Sequence, residues 1–179
     1  MKKYVKMIPI MIYPYAYLVY FIFFLIIGGF SSLDDNEVLL EIFFIIPLIY
    51  NVISLVIVFI TMIQGIRGKY TLKESARINA LTKCVQIPGY IFHFFLGLIG
   101  LVMSIWGIGF IIWAIIIDLL CIVLTGISSL GLSIRLIREK VFPLSKGILI
   151  LLGCFIYVVD VVLAIFLLIY LEKRDRTLE

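Results

Sequence analysis

The sequence predicts an all-α fold, a polytopic transmembrane helical bundle, on three observations. Of 179 residues, 64% are hydrophobic and 15% charged, with a mean hydropathy of +1.25, whereas soluble domains run to about 45–50% apolar and roughly 25% charged. The apolar residues fall in long runs, and a helix needs roughly 20 of them to cross a hydrocarbon core of about 30 Å. The Lys and Arg side chains gather at the ends of those runs, where they set orientation and meet anionic head groups. No water-soluble fold hides so much apolar surface, so the excess faces lipid. The net charge of +4 therefore points to a lipid bilayer with anionic head groups and away from nucleic acid.

A single membrane domain over 1–179 is expected, with about five spans near 8–30, 42–64, 88–105, 108–134 and 147–171 and a cytoplasmic amphipathic helix over 71–87. Lys2, Lys3 and Lys6 precede the first apolar run. That run is too long for a signal-peptide core and has no small-residue cleavage site, so it reads as a signal-anchor helix. Pro9 and Pro14 fall in its first turns, where a missing N–H costs least. Tyr13, Tyr17 and Tyr20 put hydroxyls along one face, which suits interfacial anchoring and helix packing. Asp34, Asp35, Glu37 and Glu41 follow with no Lys or Arg among them, so the N-terminus is expected in the cytoplasm.

In the second span Pro47, Asn51, Ser54, Val58 and Thr61 recur at three or four residues. This partly polar stripe should face other helices, because an amide in lipid is costly. The connection after Gly65 carries Arg67, Lys69, Lys73, Arg77 and Lys83 against the acid Glu74, which places it in the cytoplasm as a head-group surface. Thr71-Leu72-Lys73-Glu74 matches a capping box. The helix it opens sets Leu72, Ala76, Ala80, Leu81, Cys84 and Val85 on one side, so it should lie in the interface until Pro88 stops it.

From Pro88 to Ile134 the chain is apolar for longer than one crossing needs and is interrupted at Trp106-Gly107-Ile108-Gly109, which predicts a tight helical hairpin. One arm repeats His93, Gly97, Gly100 and Ser104; the other repeats Asp118, Cys121, Thr125, Ser129 and Ser133. Both faces are small and polar, and a short turn makes them neighbours. Arg135, Arg138, Lys140 and Lys146 return the chain to the cytoplasm, and Pro143 marks the turn. A fifth span with Gly153, Tyr157, Asp160 and Ala164 on one face then puts the C-terminus outside, although Lys173, Arg174 and Arg176 sit poorly there. Four spans, with one arm of the 88–134 hairpin re-entrant, is the alternative that brings this tail inside.

Asp118 and Asp160 carry the candidate chemistry. Counted along their spans they lie roughly 15 Å and 20 Å deep, where a charge costs at least about 2.5–3.5 kcal/mol. Two carboxylates brought together there cannot cheaply both stay ionised. One reading makes them a proton- or cation-handling pair, with Asn51, Thr125, Ser129 and Tyr157 as neutral ligands and His93 as a relay. The other makes each a neutral, hydrogen-bonded register pin between helices. Cys84, Cys121 and Cys154 form no C-x-x-C, and with one histidine they suit packing rather than a metal centre. There is no G-x-S-x-G, no H-E-x-x-H and no glycine-rich phosphate loop. Ile117-Asp118-Leu119 and Val159-Asp160-Val161 also miss both motifs of a membrane aspartyl protease, so no catalytic residue and no cofactor is expected.

Ala76-Arg77-Ile78-Asn79, then Lys83, then Ile87-Pro88-Gly89-Tyr90, and the run on to Arg138 together resemble a group of small uncharacterised integral membrane proteins from Gram-positive, clostridia-like anaerobes. The resemblance covers about a third of the chain. It implies a bacterial inner-membrane location and no particular activity. The expectation is a non-enzymatic, multi-pass protein of a bacterial plasma membrane, an accessory, immunity-type or assembly subunit, with a homo-oligomer or another membrane protein as partner. A small oligomeric channel or a proton- or cation-coupled transporter is the alternative.

Overall fold

In a computed structural model, residues 2–30 and 37–176 are described, so the acidic loop at 31–36 lies outside the described residues. Hydrocarbon offers a backbone no hydrogen-bond partner, and apolar stretches there must close their bonds internally as helices. The described chain is accordingly all-α. Its elements are α1 (Lys2–Val5), α2 (Ile8–Met11), α3 (Tyr13–Phe30), α4 (Glu37–Ile66), α5 (Leu72–Val102), a 3-10 turn (Ser104–Gly107), α6 (Ile108–Arg138), α7 (Leu144–Gly153) and α8 (Val159–Arg176).

Three helical segments among the described residues are long and apolar enough to cross a membrane: Phe44–Ile66, Leu72–Val102 and Ser104–Arg138. Helix α6 is the hub, packed by α4, α5 and α7, while α8 lies along α5. The close approach of α4 to α6 depends on glycine: a Cβ on Gly131 would come 2.7 Å from the Met62 carbonyl oxygen. At the α5–α6 turn a Cβ on Gly107 would overlap the Gly100 carbonyl.

The structure corrects the expectation of five spans: the stretches at 8–30 and 147–171 are not among these three segments, and the helix boundary expected at Pro88 is absent. The predicted interfacial helix over 71–87 and the predicted span over 88–105 are one helix, α5, which runs through Pro88. Proline frees a carbonyl one turn back, but in a bilayer a broken helix would leave more backbone unpaired than a continuous one. Neighbouring side chains cover this region: the Tyr15 hydroxyl donates to the Val85 carbonyl, and the Gln86 amide donates to the Ile10 carbonyl at 2.6 Å.

The predicted fifth span is not a crossing. Helix α7 has 10 residues, about 15 Å and half a bilayer core. The chain turns at 154–158 and comes back as α8. The turn keeps its amides bonded, Cys154 to Ile150, Phe155 to Leu152, Ile156 to Gly153 and Asp160 to Ile156, all between 3.0 and 3.2 Å. Its tip docks where Gly126 of α6 leaves room, since a Cβ there would fall 2.6 Å from the Phe155 ring. Val158 holds a φ of +67°, a left-handed conformation that a β-branched residue adopts only under strain.

The return is fixed by ion pairs. Arg77 meets Glu172 at 2.8 Å and Lys73 meets Asp175 at 3.5 Å, so the end of α8 sits beside the start of α5. Tyr4 interacts with Arg77 as well. The start of the described chain and the end of α8 thus both lie beside the start of α5. Both arms of 88–134 lie in segments long enough to cross, whereas α7 and α8 fold back on each other as a hairpin.

Candidate functional site

Helix α5 carries its polar residues on the face that it buries. Asn79, Thr82, Lys83, Gln86 and His93 are all buried, while Leu81, Phe94 and Phe95 are exposed. This inverts the rule for soluble helices: hydrocarbon tolerates leucine as well as the bundle interior does, so polar groups turn inward to find partners.

Lys83 is the largest departure from the sequence reading, which gave it to lipid head groups. Its side chain is 0% exposed, and its Nζ lies 3.0 Å from Oδ2 of Asp160, itself 1% exposed. Lysine is almost never fully buried unless paired, and here the pair joins the middle of α5 to the first turn of α8. The charge pattern held no sign of it, because Lys83 looks like one more base in a basic loop. Of the other predicted head-group residues, Arg67 and Lys69 are exposed, while Lys73 and Arg77 are taken up by the acids of α8.

Asp118 has a different partner. Its Oδ1 lies 2.7 Å from Nδ1 of His93, whose side chain is 0% exposed while that of Asp118 is 15% exposed. Nε2 of His93 is buried with no hydrogen-bond partner. Tyr157, close enough to interact with the carboxylate, joins His93 and Asp118 in lining a cavity of about 280 Å³. The Tyr157 ring packs edge-on against Tyr90 at 5.5 Å, and these two tyrosines stand between the Lys83–Asp160 and His93–Asp118 pairs. The two acids are thus linked through aromatic rings, each with its own basic partner, and do not form a carboxylate dyad.

The remaining predicted ligands lie elsewhere. Asn51 accepts from the Tyr13 hydroxyl and donates to the Tyr17 hydroxyl and, at 3.0 Å, to the Pro47 carbonyl, which ties α4 to α3 inside a cluster completed by Tyr50 and Trp113. Thr125 returns its hydroxyl to the Cys121 carbonyl at 3.0 Å. Ser129 lies 2.7 Å from both the Asn79 amide oxygen and the Thr125 carbonyl. Asn51, Thr125 and Ser129 bind helix to helix or helix to itself, so they are not ligands of the acids. Among the described residues, no three His, Cys, Asp or Glu side chains gather to hold a metal ion.

No protein-family model, curated protein or solved structure matches this chain.

Proposed function

We propose that this chain is a non-enzymatic, multi-pass protein of a bacterial plasma membrane, an accessory, immunity-type or assembly subunit whose distinctive part is the re-entrant α7–α8 hairpin. The observation that carries the reading is the Lys83–Asp160 pair, fully buried at 3.0 Å. A charge pair sealed from water and lipid holds one element against another, and it is not placed to meet a passing ion. The basic connections face the cytoplasm, in keeping with the excess of Lys and Arg there, and Arg67, Lys69, Arg138, Lys140 and Lys146 are exposed and can attract anionic head groups. With α7–α8 returning, Lys173, Arg174 and Arg176 share that side. The partner is another membrane protein or a second copy, met through the exposed apolar length of α4.

A second reading is favoured by one observation: Asp118, unlike Asp160, is partly open to a cavity that it shares with His93 and Tyr157. This suits a proton- or cation-handling role. Ion flux into liposomes separates the two readings. The first predicts no flux above that of empty vesicles, whereas flux that disappears in Asp118→Asn while the fold survives would establish the second.

A further inference from the structure

We infer that the cavity beside Asp118 is a binding site for a lipophilic organic cation that enters sideways from the bilayer. The inference deepens the second reading above, but its test reads binding alone, so an absence of flux would leave it standing.

The cavity of about 280 Å³ lies between α5, α6 and the re-entrant turn, and shares Phe94 and Tyr157 with a groove of about 330 Å³ that runs along α8 past Val158. The lining is almost wholly hydrocarbon, and such pockets, at a few hundred Å³ with few convergent polar groups, have the size and character of small-molecule sites. Phe94, Leu98 and Ile115 on its rim are 58%, 41% and 53% exposed. Those residues lie within apolar spans, so the mouth opens toward acyl chains rather than water.

At the bottom sits one carboxylate. Asp160 is neutralised by Lys83, but among the described residues Asp118 has no Lys or Arg partner. His93 Nδ1, 2.7 Å from Oδ1, orients the carboxylate, and no Lys or Arg is among the residues lining the cavity. The imidazole's other nitrogen is buried without a hydrogen-bond partner. Tyr157 and Phe94 line the same cavity, and aromatic rings attract a cation that lies over their faces.

These features select the ligand's chemistry. A small metal ion would need several oxygen donors, and the lining supplies one carboxylate and one phenol. A primary ammonium would arrive strongly hydrated and lose that water in an apolar site. A bulky cation with its charge spread over carbon brings little water, fills apolar volume and still gains from one buried carboxylate. Gly97 marks where it fits: a Cβ built there meets nothing within 4 Å.

The test uses the full chain in nanodiscs of zwitterionic phosphatidylcholine, with tetraphenylphosphonium as the probe and tetraphenylborate, of the same shape and opposite charge, as its control. Binding to empty discs is subtracted. Saturable binding of one phosphonium per chain is expected, with no saturable binding of the borate. Asp118→Asn, whose amide oxygen can still accept from His93, should weaken binding at least tenfold. Gly97→Phe fills the cavity, leaves Asp118 untouched and should do the same, so it carries the test if Asp118→Asn fails to fold. Phosphonium retention no greater than in empty discs, or equal retention in folded variants, would overturn the inference. So would saturable borate binding, which would assign the cavity to neutral amphiphiles.

Discussion

Replacing Lys83 by Met keeps the length and apolar stem of the side chain and removes its charge. Asp160 is then left buried without its 3.0 Å partner. Breaking one side of a buried pair costs about 3–5 kcal/mol, whereas replacing both sides by apolar groups of similar volume is often neutral or stabilising. At about 1.4 kcal/mol per factor of ten, the single substitution should raise the detached population of the hairpin by roughly two to three and a half orders of magnitude. Cys154, 2% exposed at the turn between α7 and α8, reports that population. In a Cys84→Ala, Cys121→Ala background, its alkylation by a membrane-permeant maleimide should be slow in the parent chain and at least a hundredfold faster after Lys83→Met. The double variant Lys83→Met, Asp160→Leu should return to within a few-fold of the parent. A single variant labelled no faster than the parent, or a double variant as fast as the single, would refute the claim that this pair holds the hairpin.

The contact of α4 with α6 gives a second prediction. Gly131→Leu would drive a side chain into the Met62 carbonyl, and with overpacking at about 1–3 kcal/mol the thermal midpoint of the purified protein should fall. Gly97→Leu, which meets open space, should leave it unchanged or raised. Asn51→Leu strips the Tyr13 hydroxyl of its Asn51 acceptor, while the Tyr17 hydroxyl keeps the Pro47 carbonyl; a lost partner costs about 1–3 kcal/mol, so protease resistance of the segment before α4 should drop while that of α5 and α6 holds. Thr71→Ala removes a hydroxyl that accepts from the Glu74 amide at 3.1 Å in a complete capping box, and by the usual worth of an N-cap it should cost about 0.5–2 kcal/mol in chemical denaturation.

Much of the fold could be read from residue order, because bilayers simplify the problem. The polar stripes of α4 and α6 do face other helices: Ser54 and Val58 are 0% exposed, as are Thr125 and Cys121, whereas Ser104 and Tyr157 of the other predicted stripes are exposed. The pairing of His93 with Asp118 follows from two neighbouring arms that each carry one ionisable group. The hairpin at the C-terminal end was hidden for a different reason. Both α7 and α8 are apolar, and hydropathy counts residues without knowing that Val158 reverses the chain through a positive φ. Lys83 misled for a related reason, since a base within a basic segment carries no mark of the acid that it will meet 77 positions later. The rule that places apolar residues inward at the interface put Leu81 on the buried side of α5, yet it is 43% exposed and the polar neighbours Thr82 and Lys83 are buried.

The central claim is that α7 and α8 enter the bilayer and leave by the same face. Single cysteines at Lys69→Cys, before α5, and at Lys173→Cys, near the end of α8, test it directly in a cysteine-free chain. Intact cells are treated with a membrane-impermeant maleimide and compared with permeabilised ones. The account predicts that both positions are shielded in intact cells and labelled only after permeabilisation. Labelling of Lys173→Cys in intact cells while Lys69→Cys stays shielded would mean that the chain crosses once more, and would contradict it.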